Sequence, residues 1–144
     1  MNAAGAEAVF KIKNKASGNC VVAGKATVTY KPVMAGCSTA HDTWTFKVDH
    51  GVPLLMNTDL GLCLDGNSSG DVYFSTCSGN DLGQWWYGLC APDLGYLQNP
   101  GANGKQLTGW GGGSVSLRAP GDVDDPRKQR WDLGGARPTG CVGA

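Results

Sequence analysis

The side chains able to do chemistry in this chain are short, polar and mostly acidic. Eleven of the twelve acids are Asp, and Glu7 is the single Glu. The two His, His41 and His50, stand apart, and no two of the six Cys form a C-x-x-C pair. A zinc site needs clustered thiolates or imidazoles, so neither a metal nor a cofactor is expected. Asp122-Val123-Asp124-Asp125 lacks the spacing and acid count of an EF-hand calcium loop. It reads as a solvated turn before Pro126. Glycoside hydrolysis needs two carboxyl groups facing each other across the bond at roughly 5 to 10 Å. Asp65 with Asp71 or Asp81 is only three short acids in turns, and no Ser/His/Asp or Cys/His set is present. No enzyme activity is expected, and recognition by short polar groups remains.

The cysteines, at positions 20, 37, 63, 77, 90 and 141, are even in number in a small, Gly-rich chain. They read as disulfides, although fifteen pairings are possible in principle. Local spacing favours Cys20–Cys37 and Cys63–Cys77, which leaves Cys90 with Cys141. Each of the first two bridges closes a short loop, worth about 3 kcal/mol from chain entropy. Such bridges point to an oxidising compartment and a secreted protein.

The elements that position these groups follow from composition. Gly makes up 23 of 144 residues, and charged residues are 17%. Gly, Asp, Asn, Ser and Thr are turn formers, and the helix formers are scarce, so strands joined by turns are expected. Hydrophobic residues at 41%, with five Trp, exclude disorder. The length suits one domain over residues 1–144. Twelve bases balance twelve acids, which gives no footprint for nucleic acid. No apolar run approaches the ~20 residues of a membrane span, so no membrane insertion is expected. Met1 to Phe10 lacks the basic end and apolar stretch of a signal peptide. A leader already removed, or an excised module, is therefore expected.

The sequence repeats itself three times. Ile12-Lys13-Asn14, Leu55-Met56-Asn57 and Leu97-Gln98-Asn99 share an apolar-x-Asn pattern, followed by Gly18, Gly61 and Gly104. Val28, Val72 and Val115 come next, and Trp44, Trp86 and Trp131 end the units. The repeats cover about residues 10–50, 53–92 and 95–136. Within them Lys25–Tyr30, Asp71–Ser75 and Ser114–Arg118 read as short strands. Three units are too few for a propeller, so a closed threefold β-structure is expected.

At the middle repeat, Asn57, Gly61-Leu62-Cys63-Leu64-Asp65, Gly70-Asp71-Val72-Tyr73, Cys77 and Gln84-Trp85-Trp86 resemble the ricin B-type β-trefoil lectins. That resemblance covers roughly residues 10–133. It implies an all-β trefoil of twelve strands in three four-stranded units, with Trp44, Trp86 and Trp131 as core anchors. It also implies carbohydrate binding, with Asp65 in the hydroxyl-accepting position. A carboxylate takes sugar hydroxyls in short, charge-assisted hydrogen bonds. An aromatic surface covers the C–H face of the ring, and Tyr73 supplies one. The family's galactose binders carry their aromatic platform where this chain has Ser75. Tyr73 instead is similar to the Tyr of mannose-specific members of the actinohivin type. A mannose- or galactose-type glycan or polysaccharide is the expected partner. Asn80 or Asp81 is expected to add a polar contact, Asn67 to border the pocket, and Gln84 to brace the loop or touch sugar.

The equivalent positions hold Val22 in the first repeat and Thr108 in the third, so both sites are expected to be impaired. Trp110, flanked by glycines, reads either as a second stacking platform or as a plug of the trefoil end. One working pocket implies weak monovalent binding, strengthened by an oligomer or a tethered catalytic domain. A protein-interaction trefoil such as a proteinase inhibitor, and the targeting module of a larger glycoside hydrolase or toxin, are the alternative readings.

Overall fold

The computed structural model describes residues 8–139 and Cys141. Twelve strands occur in chain order: β1 Val9–Phe10, β2 Lys13–Asn14, β3 Cys20–Ala26, β4 Thr29–Ala35, β5 Trp44–Asp49 and β6 Val52–Asn57, then β7 Cys63–Gly66, β8 Val72–Ser75, β9 Gln98–Asn99, β10 Lys105–Gly109, β11 Val115–Arg118 and β12 Trp131–Asp132. All pair antiparallel. The sheets run β1-β5-β6-β7-β8, β11-β10-β9 and β12-β2-β3-β4, not as three equal four-stranded units. At the first repeat boundary β5 and β6 form a six-residue ladder from Trp44↔Asn57 to Asp49↔Val52. At the second, the equivalent hairpin shrinks to a single bridge, Tyr87↔Gln98. The chain there turns aside through the 3-10 turn Pro92–Leu94, which ends on Gly95 in the left-handed conformation.

The repeated residues converge on one core. Trp44, Trp86 and Trp131 are all buried, as are Ile12, Leu55 and Leu97 and the trio Val21, Leu64 and Leu107. Each indole N–H donates to a backbone carbonyl in its own repeat: Trp44 to Val21 at 3.0 Å, Trp86 to Leu64 at 3.2 Å and Trp131 to Leu107 at 2.9 Å. A buried Trp is stable only when its N–H finds such a partner, so the same solution appears three times.

The Asn of each apolar-x-Asn triplet joins one repeat to the one before it. Asn57 Nδ2 donates to His41 O, Asn99 Nδ2 to Gly83 O, and Asn14 Nδ2 to Lys128 O. The last bond spans the chain from near its start to near its end, alongside the pairing of Trp131 with Asn14 in β12–β2. Asn14 and Asn57 also use Oδ1 to accept two N–H groups of the following turn. The third repeat has one more residue before its glycine and a Pro at position 100. Asn99 Oδ1 is accordingly left without a partner.

The Lys25–Tyr30 segment is not one strand. It is the tip of the β3–β4 hairpin, with Ala26 paired to Thr29 and a two-residue turn at Thr27-Val28. Thr27 takes φ 60°, and Val28 is 85% exposed. The β-branched run mimics a strand locally, but the longer arms of this hairpin place it beyond the core. Val28 is thus not the equivalent of Val72 and Val115, which begin β8 and β11. The three disulfides are Cys20–Cys37, Cys63–Cys77 and Cys90–Cys141. Among the described residues no helix is long and apolar enough to cross a membrane.

Leu117 ties the third repeat to the middle one. Its N–H donates to Gly70 O at 2.9 Å, and its side chain fills the space where a Cβ on Gly66 would stand, 2.4 Å from Cδ1. Gly70, at φ +93°, brings the middle-repeat loop within reach of the Leu117 carbonyl. Replacing Leu117, which is 1% exposed, by Ala leaves a cavity under the β7–β8 loop. We expect a loss of about 2–5 kcal/mol in urea unfolding with an unchanged m-value. A loss below about 1 kcal/mol contradicts this packing.

Candidate functional site

Asp65 and Tyr73 are direct cross-strand partners in the β7–β8 hairpin, so both side chains project from the same face. Asp65 is 3% exposed and Tyr73 is 37% exposed. The carboxylate lies at the floor and the phenol ring at the rim. Asn67 Oδ1 folds the connecting loop by accepting from Ser69 N–H at 3.0 Å and Asp71 N–H at 3.1 Å. Its Nδ2 donates to Asp71 Oδ2 at 3.3 Å.

The opposite wall is the 3-10 turn Leu82–Gln84, capped by Asp81, whose Oδ1 accepts from Gly83 N–H at 3.0 Å. Gly83 packs so closely that a Cβ there would lie 2.4 Å from Asp65 Oδ1 and 2.3 Å from Gly66 O. Only a glycine lets this turn close over the carboxylate. Gln84 sits beneath the site, 1% exposed. Its Oε1 accepts from Ser78 N–H and its Nε2 donates to Thr76 O, both at 2.9 Å. Gln129 does the same in the third repeat, accepting from Gly121 N–H and donating to Ala119 O. Gln84 therefore positions the loop that carries Asn80 and Asp81.

Asp65 Oδ1 is buried without a hydrogen-bond partner. Burial pushes the Asp65 carboxyl above the ordinary carboxylate range, a nearby Ser75 hydroxyl pulls it down, and Asp81 pushes it up again. Burial also raises the Tyr73 phenol, helped by the charges of Asp65 and Asp81. Asp65, Tyr73 and Asp81 are thus one electrostatic cluster. Asn67 belongs to its rim, and exposed Asn80 offers only a backbone contact there, its N–H donating to Ser78 Oγ.

Gly83 is a member that residue-by-residue reading misses, and Ser75 enters that reading only as the position of an absent aromatic platform. Ser75 carries a usable signal, because it lies two positions after Tyr73 and so shares its strand face. Gly83 carries none, since its role depends on a turn brought over from 18 residues downstream of Asp65.

The other two repeats lack this floor. Val22 pairs with Val33, and Thr108 pairs with Ser116, where the middle repeat has Asp65 and Tyr73. Thr108 is fully buried, and its hydroxyl donates to Gln106 O. Trp110 occupies the third-repeat counterpart of Asn67, with Nε1 donating to Ser116 Oγ at 2.7 Å. Arg118 and Lys128 stand 5.6 Å and 5.3 Å from its ring centroid. The same cations pair with Asp122 and Asp124, and the open recess they share with Trp110 measures about 480 Å³. Two larger or more apolar hollows lie elsewhere, one of about 500 Å³ beside Phe10 and Leu133 and one of about 340 Å³ beside Trp85 and Tyr87.

No known family profile matches the sequence, and no curated protein matches it either. Solved structures do. The BEL β-trefoil is 12% identical with a TM-score of 0.63, covering 87% of this chain and 90% of that one. SeviL bound to asialo-GM1 saccharide is 15% identical with a TM-score of 0.62, covering 89% and 97%. The GlcNAcα1-4Gal-releasing endo-β-galactosidase of Clostridium perfringens is 15% identical with a TM-score of 0.66, covering 93% of this chain but 34% of that chain. At these identities the likeness establishes the fold: the chain is a β-trefoil.

The raised Asp65 carboxyl has a consequence for stability. The folded chain holds this proton to higher pH than the unfolded chain does. Its contribution is therefore complete below about pH 4 and is lost as pH rises through the elevated value. Asp65→Asn removes that loss. We expect its melting temperature to exceed the wild type's at neutral pH, with the gap closing towards pH 4. A gap independent of pH contradicts the assignment.

Proposed function

We propose that this β-trefoil is a non-catalytic carbohydrate-binding protein whose working site is the Asp65–Tyr73 cleft of the middle repeat. The observation that carries the reading is a nearly buried carboxylate with an unpartnered oxygen, set beside a half-exposed aromatic ring. An unmade hydrogen bond in a buried polar group is costly. A sugar suits this pairing, because its hydroxyls donate to a carboxylate and its C–H face packs on the phenol ring. SeviL, of the same fold, has a saccharide in its structure, which supports this class of ligand. Asp81 is the second acceptor within the cluster, and Tyr73 favours a mannose-type over a galactose-type glycan.

One such cleft gives weak binding on its own, so useful strength requires several copies or a tether. The endo-β-galactosidase favours the tethered version, since the matching region is about a third of that chain. On that reading the trefoil holds a larger enzyme on its polysaccharide. The three disulfides suit an extracellular setting. Trp110, with its ring attended by two cations, is a candidate second contact for an extended glycan.

A glycan array followed by calorimetric titration tests the proposal. Wild-type protein is expected to bind a neutral glycan. Asp65→Ala should weaken that binding by at least about tenfold, the worth of a charge-assisted hydrogen bond. Tyr73→Ala should weaken it by about three- to tenfold through lost ring packing. Thermal unfolding checks that both variants remain folded. The absence of any binding to mono- or oligosaccharides at millimolar levels would falsify the proposal.

A further inference from the structure

Formal neutrality hides an uneven distribution of charge. Ring closure at β12–β2 pairs Asp132 with Lys13 and Trp131 with Asn14, and Lys15 N–H donates to Arg130 O at 3.0 Å. Cations from both ends of the sequence are thereby placed side by side. Lys13, Lys15, Gly18, Arg127, Arg130 and Asp132 line one open groove of about 390 Å³. The Lys15 and Arg130 side chains both pass Gly95 at the edge of the groove, where a Cβ would lie 3.4 Å from Arg130 Cδ and 3.7 Å from Lys15 Nζ, and the Arg130 guanidinium donates to Gln129 O at 3.2 Å. Arg127 is held by Asp125 at 2.8 Å. Among the described residues Lys13, Lys15 and Arg130 make no ion pair, and Asp132 uses Oδ1 to accept from Gly134 N–H. Most of the groove's wall is the aliphatic stems of these side chains, and like charges gathered at one groove repel each other and favour an anion among them.

We propose that this groove is a second binding site, separate from the Asp65 cleft, for the anionic groups of an acidic polysaccharide. Its volume lies in the range of small-ligand sites, about 300–1,000 Å³. The guanidinium of Arg130 offers planar donors and Lys13 and Lys15 offer point charges, the two devices that hold sulfate and carboxylate groups. Among the described residues no aromatic side chain lines the groove, so the bases of a nucleic acid have nothing there to stack on. The choice of a saccharide over another anion rests on the proposed carbohydrate-binding function. The acidic Asp65–Asp81 cluster repels such a ligand, so the groove and the cleft divide acidic from neutral sugars.

The test is fluorescence anisotropy on the intact chain with three labelled probes of equal charge: a heparin oligosaccharide, an oligogalacturonate and a single-stranded oligodeoxynucleotide. We expect one or both saccharides to bind, with affinity falling about a hundredfold between about 0.05 and 0.5 M salt. Binding of heparin alone assigns the groove to sulfate esters, and of oligogalacturonate alone to carboxylates. Lys15→Glu/Arg130→Glu should weaken binding by more than about tenfold, and Lys15→Ala/Arg130→Ala should do so to a smaller degree. Lys25→Glu/Lys31→Glu, an equal charge change on the β3–β4 hairpin, should leave it within about twofold. Equal loss in the hairpin variant, equal affinity for the oligonucleotide, or no saccharide binding at low salt overturns the proposal. If no neutral glycan binds the wild type while the Lys15/Arg130 effect persists, the groove stands and the Asp65 reading falls.

Discussion

The whole arrangement hangs on three buried side-chain amides. Asn14, Asn57 and Asn99 are each 0% exposed, and each reaches back to a carbonyl just before the Trp of the adjoining repeat. A buried amide that loses its partner costs about 1–3 kcal/mol, so these bonds fix the relative position of the repeats as well as holding them together. Asn14 has a further task, because its bond to Lys128 closes the ring between the two ends of the sequence. Without that closure β12 has no strand to pair with, and Trp131 loses its place in the core.

The candidate cleft inherits its geometry from these bonds. Asn99 donates to the carbonyl of Gly83, the residue that closes over Asp65. The same amide that docks the third repeat therefore seats the wall of the middle-repeat site. Leu117 supports the opposite side by packing under Gly66 and donating to Gly70 O. The carboxylate is thus held by backbone from two repeats, with few side chains of its own to satisfy it. That combination, a rigid cradle and an under-satisfied acceptor, is what a hydroxyl-binding site requires.

Much of this is legible in the residue pattern because it repeats. The apolar-x-Asn triplets and the Trp spacing mark the core, and Asp65 and Tyr73 stand at one strand's length across a short loop. Legibility ends where a feature depends on segments distant in sequence. Gly83 shows its purpose only once the turn lies on Asp65. The basic groove exists only because residues 13–15 meet residues 127–130 at the closure. Local propensity misleads at Lys25–Tyr30, where β-branched residues form a hairpin tip instead of a strand. Gln84 and Trp110 read ambiguously for the same reason, since an amide or an indole serves equally as a brace or as a surface contact until its neighbours are known.

The central claim is that one repeat of three carries the cleft, with Asp65 at its floor. Amide chemical-shift perturbation, read as a bound neutral glycan is titrated into the labelled protein, tests it most directly. The account predicts saturation at one glycan per chain, with the shifts concentrated on Asp65, Tyr73 and Gly83 and none of that size at Val22 or Thr108. Shifts of equal size at the three equivalent positions, or shifts that bypass Gly83 and Tyr73, contradict it.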